Sequence, residues 1–509
     1  MNAQTYSILS PVMGLRKDVP GILLQEAYNQ DSENIIFVAG EVHRVKMPLE
    51  ELSGTETTDG KTIIHYHTLV TSAGSTYLLA FTESHIYYWN TATKVYDEVF
   101  AGTTTDHWES ISYADKVIAT NGEDKVQVWT PGGSFAPLDT ASGLDLGGAV
   151  YCTSAKHITV YANFIIIADT YEGGTRYPQR IRWCSIGAMV NWDGGNSGAA
   201  DIGGSDFITA FGSYQSNLII FKTGSLYRLW LTGATTVFSV VAISKEIGCI
   251  APDSVVNDGI GHLMYYASDN TFKAFPLTDI SLPIYTEAKQ FMPLLISKIR
   301  AKYMQHNNEI WWSVPYEDGT SPTENNKIFV FKDNYWSIVG IAIQAFGSWD
   351  RQSVYTWDTL PDIFASWEKW GWDKWDTIVG SEGAPLDLAA TGTKTYSLHE
   401  SEGSHEGYIV LSTDLQSKQG IPFYKRILEF ETYFQKETSG TATIELKRDG
   451  ETSWQTAGTV DLTTGNEDIV KTSIPCDFRA KTFLLKVKAS NRFRFLGMFV
   501  RFVQSGKER

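Results

Sequence analysis

The sequence predicts an all-β chain: a β-propeller of six or seven blades followed by a C-terminal β-sandwich. Three observations lead there. Helical periodicity is nearly absent, and one short helix is expected around Tyr285 to Ile299. A hairpin unit recurs along most of the chain, each copy an apolar strand, a polar turn and a strand ending in a large ring. Near residue 406 this texture gives way to longer alternating strands.

The first repeat copy pairs Tyr77–Phe81 with Ile86–Trp89, and the second pairs Val117–Thr120 with Val126–Trp129. Phe164–Ala168 with Ile181–Trp183, and Leu218–Phe221 with Leu226–Trp230, are the third and fourth. Leu263–Ala267 with Thr271–Phe275, and Ile310–Val314 with Ile328–Phe331, follow. A weaker seventh copy joins Leu386–Ala390 to Thr395–Leu398. Further strand candidates lie upstream of most copies: Trp108 to Tyr113, His157 to Tyr161, Phe207 to Tyr214, Ile299 to His306 and Ile343 to Trp349. Most copies are spaced by about 40–55 residues, the length of a four-stranded blade. One blade cannot bury both of its faces, whereas a ring of blades buries each against its neighbours and protects the sheet edges. A two-layer sandwich with similar hairpins is the competing arrangement.

Three regions follow from this pattern. Residues 1–58 read as an N-terminal arm, with a hairpin over Asn34–Arg44 turning at Gly40. Residues 59–405 read as the propeller, interrupted at 349–376 by an insertion carrying Trp349, Trp357, Trp367, Trp370, Trp372 and Trp375. Residues 406–509 read as the sandwich, with Asp449–Gly450 at a hairpin turn. Rings so clustered either pack on one another or meet a partner, because a large exposed apolar patch promotes association. Trp367, Trp370 and Trp372 are the expected partner contacts.

The net charge of −16 argues against a phosphate-gripping surface. Cys152, Cys184, Cys249 and Cys476 are too far apart for a zinc motif or a disulfide framework, and are expected to be reduced core thiols. Residues 1–12 lack the basic-then-apolar pattern of a signal peptide, and no apolar run approaches the length of a membrane helix. His65 and His67 share one strand face, but no third ligand stands nearby, so no metal site is expected. Pairs such as Glu123–Asp124 sit in turns. The nearest match to a sialidase-type Asp-box hairpin, Arg448–Trp454, occurs once, is wrongly spaced and lies outside the propeller. No catalytic residue and no cofactor are therefore expected, and the chain reads as a non-enzymatic structural protein.

Three motifs in order resemble the tail nozzle proteins of short-tailed phages and related propeller proteins that stabilise packaged DNA. They are the arm with Asn34, Gly40 and Arg44, the Trp-Asp insertion from Trp357-Asp358 to Trp375-Asp376, and the terminal module. In that module Lys425-Arg426-Ile427 opens a strand, Asp449-Gly450 and Trp454 follow, and Arg492-Phe-Arg-Phe495 leads into the last strand. Lys46-Met-Pro-Leu49 stands where the family has an Arg-Pro-Gly. The resemblance implies a homo-oligomeric ring, usually a hexamer, below the portal and its adaptor, with tail fibres as further partners. It implies assembly in the host cytoplasm, residence in the virion tail, no membrane insertion, and DNA only as transiting cargo. An acidic propeller facing a lumen would let DNA slide. The mildly basic C-terminal module would suit acidic surface on a neighbouring subunit. The competing functions are a host-surface glycan-binding or glycan-cleaving propeller and a virion decoration or head-fibre protein.

Overall fold

The structure is a computed structural model. It describes residues 3–11, 14–18, 28–38, 41–44, 49–51, 56–233, 236–305, 307–319, 321–349, 386–398, 406–413, 424–448, 451–465 and 468–504.

The chain is nearly all β, and among the described residues seven antiparallel sheets of four or five strands form the propeller. Blade one holds Ile63–Val70, Thr76–Thr82, His85–Asn90 and Val95–Ala101. Blades two to six begin their sheets at Glu109–Tyr113, Leu144–Asp145, Ile208–Tyr214, Val256–Asn257 and Arg300–Met304. Blade seven joins Ala345–Trp349, Leu386–Thr391 and Lys394–Leu398 to Leu49–Glu51, a strand from the other end of the chain. Leu398 pairs with Leu49, and Tyr396 with Glu51. The innermost strands touch in a closed circuit, that of blade seven lying against Ile63–Val70 of blade one. Every upstream strand candidate of the sequence occupies this inner circuit, with Tyr151–Tyr161 serving blade three.

Side-chain alternation explains why the repeats read as continuous apolar runs. In Phe164–Glu172, Ile165 and Ile167 pack toward blade two with Ile118 and Val126. Phe164 and Ile166 pack toward blade four with Leu218 and Ile220. Both faces of a middle strand are thus interior, so no polar alternation survives. The same happens between blades one and two around Phe81 and Trp129, and between blades seven and one around Tyr66 and Leu388.

Close approach of backbones fixes some joints between blades. A Cβ built on Gly248 would lie 2.0 Å from the carbonyl oxygen of Lys222 and 2.6 Å from the amide nitrogen of Ser225. Neither backbone atom can rotate away. Gly248→Ala is expected to destabilise the fold by about 1–3 kcal/mol through overpacking, read as a lower urea midpoint with unchanged slope. An unshifted midpoint would show that the joint yields.

The C-terminal unit is a two-sheet sandwich built from both ends of the chain. One sheet runs Gln4–Leu9, Phe495–Gln504, Lys425–Gln435, Ile469–Ala480. The other runs Asp31–Glu33, Gly407–Thr413, Phe483–Ala489, Thr441–Arg448, Gln455–Asp461. Phe430, Phe478, Phe483, Leu485, Ile444 and Val500 fill the space between them. The segment read as an arm is therefore no free extension, since Gln4–Leu9 and Asp31–Glu33 belong to the sandwich and Leu49–Glu51 to blade seven. Its hairpin pairs Ile35–Val38 with Glu41–Arg44, and Gly40 lies outside the described residues.

Asn34 ties the two units together. Its amide N–H donates to Ile338 O (2.9 Å), its Nδ2 to Glu406 O (2.9 Å), and its Oδ1 accepts from Gly340 N (2.9 Å). Its φ of +57° is a conformation that asparagine tolerates better than most residues.

The helix expected over Tyr285–Ile299 shrinks to one α-turn, Tyr285–Ala288, flanked by 3-10 turns at Leu282–Ile284 and Pro293–Lys298. Pro283 and Pro293 account for this, since each can start a helical turn and neither can continue one. No helix among the described residues is long and apolar enough to cross a membrane. The four cysteines are free, and burial pushes the thiols of Cys152, Cys249 and Cys476 up to about 12.

Candidate functional site at the propeller axis

Residues on and just before the inner strands converge near the axis of the ring. His107 and Glu109 come from blade two, His157 from blade three, Arg300 from blade six, and Asp253 from the 3-10 turn before blade five. They form a chain of charge. Arg300 Nη1 is 2.8 Å from Asp253 Oδ2, which is 3.8 Å from His107 Nδ1. His107 Nε2 lies 3.3 Å from Glu109 Oε1, and His157 Nδ1 donates to that oxygen at 2.6 Å. Glu109 Oε2 accepts from Ile158 N at 2.8 Å.

Burial alone would raise the Glu109 pKa, but the neighbouring His157 and His107 outweigh it and hold the carboxyl well below its ordinary range. For His107 burial opposes the charged ring, yet Glu109 and Asp253 prevail and raise its pKa. Perturbed groups from several elements meeting near the axis are what a functional site looks like.

A shallow cleft opens beside this cluster, enclosing ≈ 30 Å³ beneath an open mouth. Glu83, Asp106 and Glu324 frame it with Lys298 and Arg300. Asn325, only 3% exposed, also lines it. Its Nδ2 donates to Lys298 O at 2.7 Å, while its Oδ1 has no hydrogen-bond partner. A buried amide oxygen left bare costs about 1–3 kcal/mol, an unmet demand in the wall beside the cleft.

His65 and His67 also face the axis, but as rungs between blades one and two. His65 Nε2 lies 2.7 Å from Ser110 Oγ, and His67 Nε2 lies 2.8 Å from Ser112 Oγ. Burial pushes their pKa values down to about 3 and about 4. Bases with depressed folded-state values give stability that is full above about pH 6.5 and is lost as pH falls, because the unfolded chain takes up the protons first. Unfolding free energy should therefore drop between pH 6.5 and pH 4. The slope should flatten in a His65→Asn, His67→Asn variant, measured by urea titration across that range. An equal slope in both proteins would remove these rings as the cause. His107, raised, acts in the opposite sense and is common to both proteins.

Glu123 and Asp124 lie in a turn as expected, where Asp124 accepts from Thr103 and Asn121. Trp367, Trp370 and Trp372 lie outside the described residues. The sequence reading passed over His107, Glu109, His157, Asp253 and Arg300. One signal was present: overlaying the inner-strand candidates puts His107, Glu109, His157 and Arg300 near equivalent strand starts.

No family model matches the chain, and no curated protein matches it. Solved structures of exo-β-1,3-galactanase from Phanerochaete chrysosporium are similar in part. The galactose-bound form shares 9% identity over 89% of this chain and 100% of that one, with a TM-score of 0.28. A variant with β-1,3-galactotriose shares 9% over 90% of this chain and 100% of that one, again at 0.28. These neighbours are enzymes, which runs against the expectation of a non-enzymatic chain, and that expectation is withdrawn. A likeness this distant carries no activity across to this protein.

Proposed function

We propose that the chain is a host-surface propeller that binds a glycan in the axial cleft. The observation that carries this reading is the bare Asn325 Oδ1 beside a cleft framed by three carboxylates and two cations. Such a lining offers many hydrogen-bond donors and acceptors beside some apolar wall, which suits a polyhydroxylated ligand. Lys298→Ala and Glu324→Ala are each expected to weaken binding roughly 10–100-fold, the effect of losing a charge-assisted hydrogen bond. The measurement is a bacterial polysaccharide array followed by calorimetry on the hits, with released reducing sugar assayed in parallel. Binding that survives both substitutions, or no hit on the array, would overturn the reading.

A second reading has its own support. The two ends of the chain close one sandwich, and Asn34 ties that sandwich to blade six, giving a two-part body suited to repetition in a ring. In this reading the protein is a phage tail ring subunit, a homo-hexamer docked to the portal adaptor, with Trp367, Trp370 and Trp372 at a contact. Replacing the three by Ala should leave circular dichroism unchanged and abolish ring formation in negative-stain images. Rings that persist would remove the Trp contact.

A further inference from the structure

We infer that His107, Glu109 and His157 form a binding site for a divalent transition metal of the zinc type on the propeller axis. The inference does not rest on the glycan reading, because its residues lie outside those that frame the cleft.

Three observations carry it. First, one ligand atom from each of His107, Glu109 and His157 lies within 4.8 Å of the others. Ligands around a tetrahedral ion at about 2.0–2.1 Å stand about 3.3–3.5 Å apart, so modest side-chain movement brings all three onto one ion. The 3.3 Å from His107 Nε2 to Glu109 Oε1 already fits, and the 2.6 Å from His157 Nδ1 must open. Second, His107 Nε2 is buried on a residue only 5% exposed, and its neighbour Glu109 Oε1, at 3.3 Å, makes an ion-pair contact without well-aligned hydrogen-bond geometry. A ring nitrogen with a poorly aligned partner in the interior is under-satisfied, and once deprotonated its lone pair would serve a metal ion. Third, the surroundings supply the outer partners that metal-bound groups use. His107 Nδ1 faces Asp253 Oδ2, Asp253 is held by Arg300, and the second oxygen of Glu109 is fixed by Ile158 N.

Two imidazoles and one carboxylate form the donor set of an open zinc site, with a fourth position left for water. Nitrogen donors disfavour calcium and magnesium, which select oxygen. His107 and His157 come from different blades, so an ion here would also pin blade two to blade three beside the axis. The ion would replace the protons that His157 Nδ1 and His107 Nε2 direct at Glu109 Oε1; a charged ring would release its proton to solvent and a neutral one would carry it on the other ring nitrogen.

The test uses the full chain, stripped with a chelator and titrated with Co²⁺ and then Zn²⁺. The expected result is one cobalt per chain with visible d–d absorption, displaced by zinc, and a raised melting temperature with either ion. His157→Gln and Glu109→Gln should each weaken cobalt binding at least tenfold. His262→Ala, which removes an exposed histidine paired only with Asp258, should bind as the unaltered chain does. No visible absorption and no thermal shift in the unaltered chain would overturn the inference, whatever the variants do. So would equal binding by His157→Gln, with circular dichroism showing that it folds. Calcium binding in preference to cobalt would overturn the assigned metal class.

Discussion

Removal of residues 1–51 is expected to abolish folding of both units, not merely to shorten the chain. The loss takes away Leu49–Glu51 from blade seven, and Gln4–Leu9 and Asp31–Glu33 from the two sandwich sheets. Lys394–Leu398 becomes a bare edge, and so does Phe495–Gln504 opposite Gln4–Leu9. Buried Ile8, Leu15, Ile35 and Phe37 leave the core as well. The combined cost should exceed about 5 kcal/mol, comparable to the whole stability of many proteins. The truncated protein should be insoluble or melt without a cooperative transition by calorimetry, while the full chain shows one. A truncated chain that melts cooperatively near the full-length temperature would show that the N-terminal strands are accessory.

Trp312→Ala should be the most damaging single substitution in the propeller. The side chain is fully buried, with its ring 4.8 Å from that of Phe272 and 5.6 Å from that of Trp336. Its Nε1 donates to Ser254 O at 3.0 Å, joining blade six to the turn before blade five. The truncation removes the ring contacts, leaves a cavity and strips a buried carbonyl of its donor, for about 3–5 kcal/mol. Trp312→Phe should cost less, because it refills part of the volume and loses the hydrogen bond. Urea midpoints for the three proteins measure both effects. A Phe variant as unstable as the Ala variant would mean that the hydrogen bond, not the packing, dominates.

The propeller was readable in the sequence because its middle strands are sandwiched on both faces. Phe164–Ala168 and Leu218–Phe221 stand out as apolar runs for that reason. Ring closure was not readable, since Leu49–Glu51 carries only a three-residue strand and pairs with residues about 350 positions away. The sandwich strands were visible by alternation, but nothing local says that Gln4–Leu9 would pair with Phe495–Gln504. The axial cluster was missed for a related reason. His107 and Glu109 are two residues apart, but His157, Asp253 and Arg300 reach them only through the ring. His65 and His67 drew attention by their spacing, yet each is satisfied by a serine on the next blade. Sequence proximity picked the pair that needs nothing, and the fold assembled the one that does.

The closure of both units by strands from the start of the chain has a consequence during synthesis. Leu49 leaves the ribosome long before Leu398 exists, and Gln4 waits for Phe502, nearly five hundred residues later. Nascent chains therefore expose unpaired strand edges until Phe495–Gln504 has emerged, and their earliest segments cannot be sealed by vectorial folding. Such long-range pairing folds slowly and puts the incomplete chain within reach of chaperones and proteases. It also makes the fold self-checking: a product released before Lys394 has an open ring and half a sandwich, and no such fragment can pass for the folded protein.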